Sequence, residues 1–285
     1  MEATQRFSND KLGIALTVNI GQLSPGRLLQ DRVVFITGGT TGIGYQIAQK
    51  CVAQGARVIV TGRNQGAIDR ARYSLGESCE GILFDVRDFK RYGTLFEEAT
   101  KYFGNINCLV NNAGISLHEG SFMNVTEHTW DAQLDTNLKA PYFLTQAWLR
   151  YYREKQMKLG RILMMASDTS GMGSTIPYGI TKAGIASFTR GLAKHIVLEG
   201  IRVNAIAPGT TRTAMTEDFT KGEIVRDSTE GKRVLFPEEI AETAVFLLSD
   251  LSTCISGQVI GCTESNVCFD NSEWSNLSLE QETNP

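Results

Sequence analysis

The sequence predicts a single-domain α/β fold, a doubly wound sheet of seven parallel strands flanked by helices. Three observations carry this reading. Short β-branched or apolar runs alternate with longer stretches of helical character, the signature of βα repeats and a parallel sheet. The runs are apolar throughout, as strands covered on both faces require. No Pro/Gly/Ser-rich linker or shift in composition divides residues 31–265, so they read as one domain.

Residues 1–30 lack a sustained period and contain SPG, which reads as an amino-terminal arm outside the main fold. From Asp31 the strands are VVFIT, ARVIVT, GILF, CLV, RILMM, RVNAIA and QVIG, first to seventh. Helices are expected at 42–54, 66–76, 88–103, 127–156, 176–198 and 237–249. The stretch APYFLTQAWLRYY is apolar around much of its helical circumference, which fits burial against another subunit. The segment between Gly209 and Pro237 breaks the βα rhythm and reads as a mobile lid. Its Met215 and Phe219, with Leu117 and Met172, are candidates for an apolar substrate pocket or for ordinary packing. Residues 266–285 are polar and aperiodic, a tail.

Composition narrows the function classes. With 28 Lys and Arg against 31 Asp and Glu the formal charge is −3, and no long charged block occurs. Neither nucleic acid nor a membrane surface is supported as a partner. No run approaches the roughly 18 apolar residues of a membrane helix. The patch GIALTV near the start is shorter than a secretory core, so a cytoplasmic location is expected. The six cysteines are scattered with no CxxC pair, which reads as buried, reduced thiols.

After the first strand comes GGTTGIGYQIAQKCVAQGA, which places Gly38, Gly42 and Gly44 between a strand and an amphipathic helix. A backbone without Cβ can approach a pyrophosphate, and the helix N-terminus attracts its charge; a plain tight βα turn would also use these glycines. The second strand ends in Thr61-Gly62-Arg63-Asn64, with no acid before Asp69 to hold a ribose hydroxyl. Arg63 is placed to pair with a 2′-phosphate, which favours NADP(H), although a solvated loop arginine has the same sequence. Asp85 follows the third strand and Asn111-Asn112-Ala113-Gly114 the fourth. Ligands of open parallel sheets sit beyond such strand ends, where turn chemistry also places Asp and Asn.

The fifth strand runs into SDTSGMGSTIPYGITK. Thr175 and Pro177 read as a cap and first-turn proline, so Tyr178 and Lys182, spaced i,i+4, share one face of a starting helix. A free phenol titrates near ~10, and proton exchange near neutrality asks for about 4 kcal/mol of help. One ammonium at about 4 Å in an effective dielectric of about 20 supplies roughly that. Ser167 at the strand end could hold a substrate oxygen beside the phenol. A surface Tyr and Lys with a capping Ser is the alternative.

Taken together, TGGTTGIG (37–44), NNAG (111–114), Asn137 in DTNLKAPYF, Ser167, YGITK (178–182) and APGTTRT (207–213) resemble the short-chain dehydrogenase/reductase family over roughly residues 30–263. The resemblance implies a Rossmann-type fold and an NADP(H)-dependent oxidoreductase that reduces a small-molecule ketone to a secondary alcohol, or the reverse. It implies Tyr178 as general acid/base and Lys182 as the residue that lowers its pKa and binds the nicotinamide ribose. Ser167 would orient the carbonyl, and Asn137, in a local helix distortion, would hold a water relaying protons to Lys182. The cofactor would lie against Gly38, Thr40, Thr41, Gly42, Ile43 and Gly44. Arg63 and Asn64 would face its phosphate, Asp85 and Val86 its adenine, and Asn112, Ala113 and Gly114 its adenosine side. Pro208, Gly209, Thr211 and Thr213 would border the nicotinamide. The resemblance also implies a homodimer or homotetramer. Ser167 and Tyr178 stand eleven positions apart, two fewer than the family commonly has, which implies a shorter loop beside the pocket. A catalytically silent nucleotide sensor or scaffold, or a dehydratase or isomerase on the same residues, are the other readings.

Overall fold

The structure of the chain, a computed structural model, describes residues 3–9, 14–20, 25–225 and 231–264. Two strands, β1 (Ala3–Asn9) and β2 (Ile14–Ile20), pair antiparallel as a hairpin. The other seven are β3 (Val33–Ile36), β4 (Arg57–Gly62), β5 (Cys79–Leu83), β6 (Cys108–Asn111), β7 (Gly160–Met165), β8 (Ile201–Pro208) and β9 (Val259–Cys262). They form one parallel sheet in the order β5-β4-β3-β6-β7-β8-β9. All seven expected strands and their parallel sense are found.

The helices are α1 (Gly42–Ala53), α2 (Gln65–Leu75), α3 (Tyr92–Phe103), α4 (Glu127–Leu134), α5 (Ala140–Glu154), α6 (Pro177–Ile196), α7 (Glu217–Thr220) and α8 (Pro237–Leu248). Strand residues alternate between two cores because successive side chains leave opposite faces. Phe35 and Ile59 join Phe96, Trp148 and Ile185 of α3, α5 and α6. Val34, Ile36, Val58 and Val60 join Ile47 of α1 and Val245 of α8. Trp148 is fully buried, and its Nε1–H donates to the Ile106 carbonyl at 3.1 Å, so its one polar atom is satisfied inside the core. The chain leaves α3 through Gly104, whose φ of 81° suits a residue without Cβ.

Several expectations are corrected. The amino-terminal segment is not aperiodic: it contains the hairpin, and Phe7 packs on Phe236 with ring centroids 5.9 Å apart. Leu29 is fully buried in the α1/α8 core, so the domain takes in residues before Asp31. The helix expected over 127–156 is broken by a π-helical turn at Asp135–Lys139. Thr175 does not cap α6; the cap position is Ile176, with Pro177 in the first turn. Of the cysteines, Cys51, Cys79 and Cys108 are buried and unpaired, Cys262 is partly buried and Cys254 is exposed. Cys268 and the whole tail at 266–285 lie outside the described residues, as does the middle of the segment expected as a lid, 226–230. Among the described residues, no helix is long and apolar enough to cross a membrane.

Candidate active site

Helical connections leave β3 and β6 in opposite directions along the sheet, and this opens a crevice at their carboxyl ends. It is a cavity of about 620 Å³. Its floor is the β3–α1 turn, with Gly38, Thr40, Thr41, Gly42, Ile43 and Gly44 all on the wall. Gly38 (φ 62°) and Gly42 (φ 54°) hold backbone conformations that L side chains rarely adopt. A Cβ on Gly44 would come within 2.3 Å of the Gly38 carbonyl oxygen and 2.4 Å of Asn112 Nδ2. That Asn112 amide donates to the carbonyls of Thr37 and Gly38, both at 3.0 Å. Thr37 Oγ1 accepts from the backbone N–H groups of Asn112 and Ala113, both at 3.0 Å. The first-turn N–H groups of α1, which no helix carbonyl can accept, therefore border a Cβ-free cradle. Its donors and shape fit the pyrophosphate of a dinucleotide.

At the far end of the crevice Arg63, Asn64, Asp85 and Val86 line the wall. Arg63 is exposed there, and its charge helps to hold the Asp85 carboxyl below the usual range. The larger cause is Arg87, which is joined to Asp85 at 2.7 Å and 3.1 Å. Arg87 lines the same corner and was missed in the sequence, although it lies only two positions beyond Asp85. Asn64 has a local task, accepting from Ala67 N–H at 2.9 Å as the cap of α2. The Val86 carbonyl accepts from the Tyr92 hydroxyl, which fixes the end of this wall.

Ser167, Tyr178 and Lys182 meet on the opposite side, with Gly114 between Lys182 and Asn137. Lys182 is 4 % exposed, and its Nζ donates to the Met165 carbonyl at 2.7 Å. Burial pushes its amine down to about 8. The amine sits 5.5 Å from the centroid of the Tyr178 ring. Burial raises the Tyr178 phenol above its ordinary value; a hydrogen bond shared with Ser167 lowers it and the Asp168 carboxylate raises it further. Burial decides the direction of this shift, so the expected lowering by Lys182 is not seen.

Asn137 lies in the π turn, 2 % exposed and behind the cavity wall. Both ends of its amide are engaged by one residue: Oδ1 accepts from Ile115 N–H and Nδ2 donates to the Ile115 carbonyl, each at 2.8 Å. Its side chain is a clamp on the loop after β6, beside Lys182.

Pro208, Gly209, Thr211 and Thr213 line the cavity as well. Thr216 Oγ1 donates to the Thr211 carbonyl at 2.6 Å and tightens this turn. Of the apolar residues expected here, Met215 lines the cavity, whereas Leu117 and Met172 do not, and the Phe219 side chain lies outside the described residues. Ser116, His118, Asp168 and Thr169 also line the cavity. His118 Nε2 lies 3.0 Å from the Met215 carbonyl and joins the loop after β6 to the segment after β8. These residues follow strand ends, the signal that located Asp85 and Asn112, but the short run after β7 obscured it.

Residues 38–263 match the family described as enoyl-(acyl carrier protein) reductase. The chain is similar to the 3-oxoacyl-[acyl-carrier-protein] reductase of Haemophilus influenzae, 34% identical over 238 residues that cover 81% of this chain and 96% of that one. It is similar to dehydrogenase/reductase SDR family member 4 of Bos taurus, 33% identical over 241 residues, 81% of this chain and 86% of that one. Among solved structures, a 3-ketoacyl-(acyl-carrier-protein) reductase from Brucella melitensis complexed with NADH superposes with a TM-score of 0.78 at 28% identity, covering 84% of this chain and 99% of that one.

The buried amine gives a pH test. Lys182 falls from an ordinary 10.5 to about 8 on folding. Between those values the unfolded chain holds a proton that the folded chain has released, so stability rises with pH through this window. Urea denaturation is expected to show a smaller rise between about pH 8 and about pH 10.5 for Lys182→Met than for the parent. Equal slopes would show that Lys182 is not perturbed.

Proposed function

The chain belongs to the short-chain dehydrogenase/reductase family of oxidoreductases, and from that membership we propose that it interconverts a small-molecule ketone and its secondary alcohol with NADP(H), Tyr178 serving as general acid/base. The observation that carries the reading is the meeting of Tyr178, Ser167 and Lys182 with a Cβ-free dinucleotide cradle in one cavity. When bound, the reduced nicotinamide supplies a hydride to the carbonyl carbon. Tyr178 delivers the matching proton to the carbonyl oxygen, which completes the alcohol.

Burial suits Tyr178 to this half of the work, because a raised phenol enters the neutral range protonated. Lys182, at about 8, is still largely charged there and stabilises the phenolate left when the proton departs. Its bond to Met165 fixes where that charge stands. Ser167 places the substrate oxygen against the phenol, and Asn137 holds the Ile115 loop beside Lys182. For cofactor choice, Arg63 faces the adenosine end, β4 ends without an acid and Asp85 is held by Arg87. A 2′-phosphate meets a cation there, and a bare ribose meets no carboxylate from β4. Three buried free thiols support a reducing, cytoplasmic setting. Exposed Tyr142 and Phe143, edge to face with one another, with Tyr142 tilted against Phe188, offer a face for a homodimer or homotetramer.

Three measurements test this reading. Tyr178→Phe is expected to cut turnover by about 10²- to 10⁴-fold while leaving NADPH fluorescence binding intact; undiminished turnover would refute the acid/base role. Arg63→Ala is expected to weaken NADPH by roughly tenfold, about 1.4 kcal/mol, with little change for NADH; equal losses would refute the phosphate pairing. Light scattering is expected to give two or four chains per particle, and the mass of one chain would refute the assembly.

A further inference from the structure

β4 and β5 run side by side with Gly62 opposite Leu83, and the Gly62 carbonyl accepts from the Phe84 N–H at 2.9 Å. The two strand ends are tied together, and they deliver Arg63 and Asp85 to one corner of the cavity. An arginine and a carboxylate brought so close are expected to join. They do not. Asp85 is taken by Arg87 instead: Oδ2 accepts from Nη2 at 2.7 Å, and Oδ1 accepts from Nε at 3.1 Å and from the Arg87 backbone N–H at 2.9 Å. The Arg87 side chain is the main cause that holds the Asp85 carboxyl below the usual range, and Arg63 acts on it through charge alone. Arg63 itself is exposed and makes no hydrogen bond or ion pair with any described residue. Arg87 also feels Asp135, but that carboxylate is joined to Lys139 at 3.0 Å.

We propose that Arg87 is a positioning residue for cofactor choice: by occupying Asp85 it keeps Arg63 free for a 2′-phosphate and covers the carboxylate that would repel it, without touching the phosphate itself. This rests on the NADP(H) reading above. A carboxylate has about four lone-pair sites, and Arg87 fills three of those on Asp85. Without the guanidinium two of the three are vacated, while the backbone N–H at position 87 still holds the carboxylate where it stands, its charge uncovered. Arg63, across the tied strand ends, is then divided between Asp85 and the phosphate. NADH has no 2′-phosphate, so its binding does not depend on where Arg63 goes. Exposed ion pairs are individually weak, and the diversion is expected to cost NADPH a modest factor, about fivefold.

The test is fluorescence titration of the full chain with NADPH and with NADH at one low ionic strength, where exposed charges act most strongly. Each variant is judged by the ratio of its two Kd values. The rest of the dinucleotide is common to both cofactors, so losses from a general loosening of the site cancel in that ratio. Arg87→Ala is expected to cut the preference for NADPH about fivefold. Arg87→Gln keeps most of the side chain without its charge, so it is expected to act in the same direction, and it keeps the test valid if the alanine variant folds poorly. Adding Asp85→Asn to either variant is expected to restore the parent ratio, because the competing charge is gone. An unchanged ratio in both single variants would overturn the inference. So would a lowered ratio that Asp85→Asn fails to restore, since Arg87 would then act on the phosphate directly; either result leaves the NADP(H) reading in place. A parent protein that binds NADPH no more tightly than NADH would overturn that reading and the inference with it.

Discussion

The crevice depends on how the backbone is tied where β3 and β6 part. Thr37 and Asn112 make that tie, the hydroxyl of one accepting from two backbone amides and the amide of the other donating to two carbonyls. A parallel sheet supplies hydrogen bonds along its strands but none where they end, and these two side chains take over at that point. With the tie in place, α1 begins beside the cleft and its first turn lines the cavity. The glycine at 44 then follows as a consequence, because the Asn112 amide occupies the space a side chain would need.

The chemistry at the other wall is governed by burial. A phenol and an amine four residues apart invite a simple account in which the cation lowers the acid. Both groups are taken out of water, however, and each is driven toward its neutral form, the phenol upward and the amine down to about 8. Their ordinary order is thereby reversed, the amine releasing its proton at a lower pH than the phenol. The Asp168 charge works in the same sense as burial on Tyr178, so the acid and the serine beside it answer to one carboxylate.

The sheet was legible because its signals are local. Seven apolar runs, the first six each followed by a helical stretch, fix strand number and sense, and the Gly38-to-Gly44 loop announces itself by composition. Tyr178, Lys182 and Ser167 were readable for a similar reason: they lie within sixteen residues of one another. What escaped depends on partners distant in the chain. The pairing of Phe7 with Phe236 spans most of the domain, and the Ile115 clamp on Asn137 crosses 22 positions. The apolar pocket was read from residue types alone; Leu117 and Met172 are exposed and do not line the cavity.

The space above Gly44 bears on how this chain can vary. A collision at 2.3 Å with a backbone oxygen cannot be relieved by turning a side chain, since a carbonyl has no rotamer. Neighbouring Ile43 packs against the core through its side chain, whereas position 44 has no space for one. Any lineage descended from this sequence that carries a larger residue there must first have abandoned the Asn112 tie, and with it the cleft.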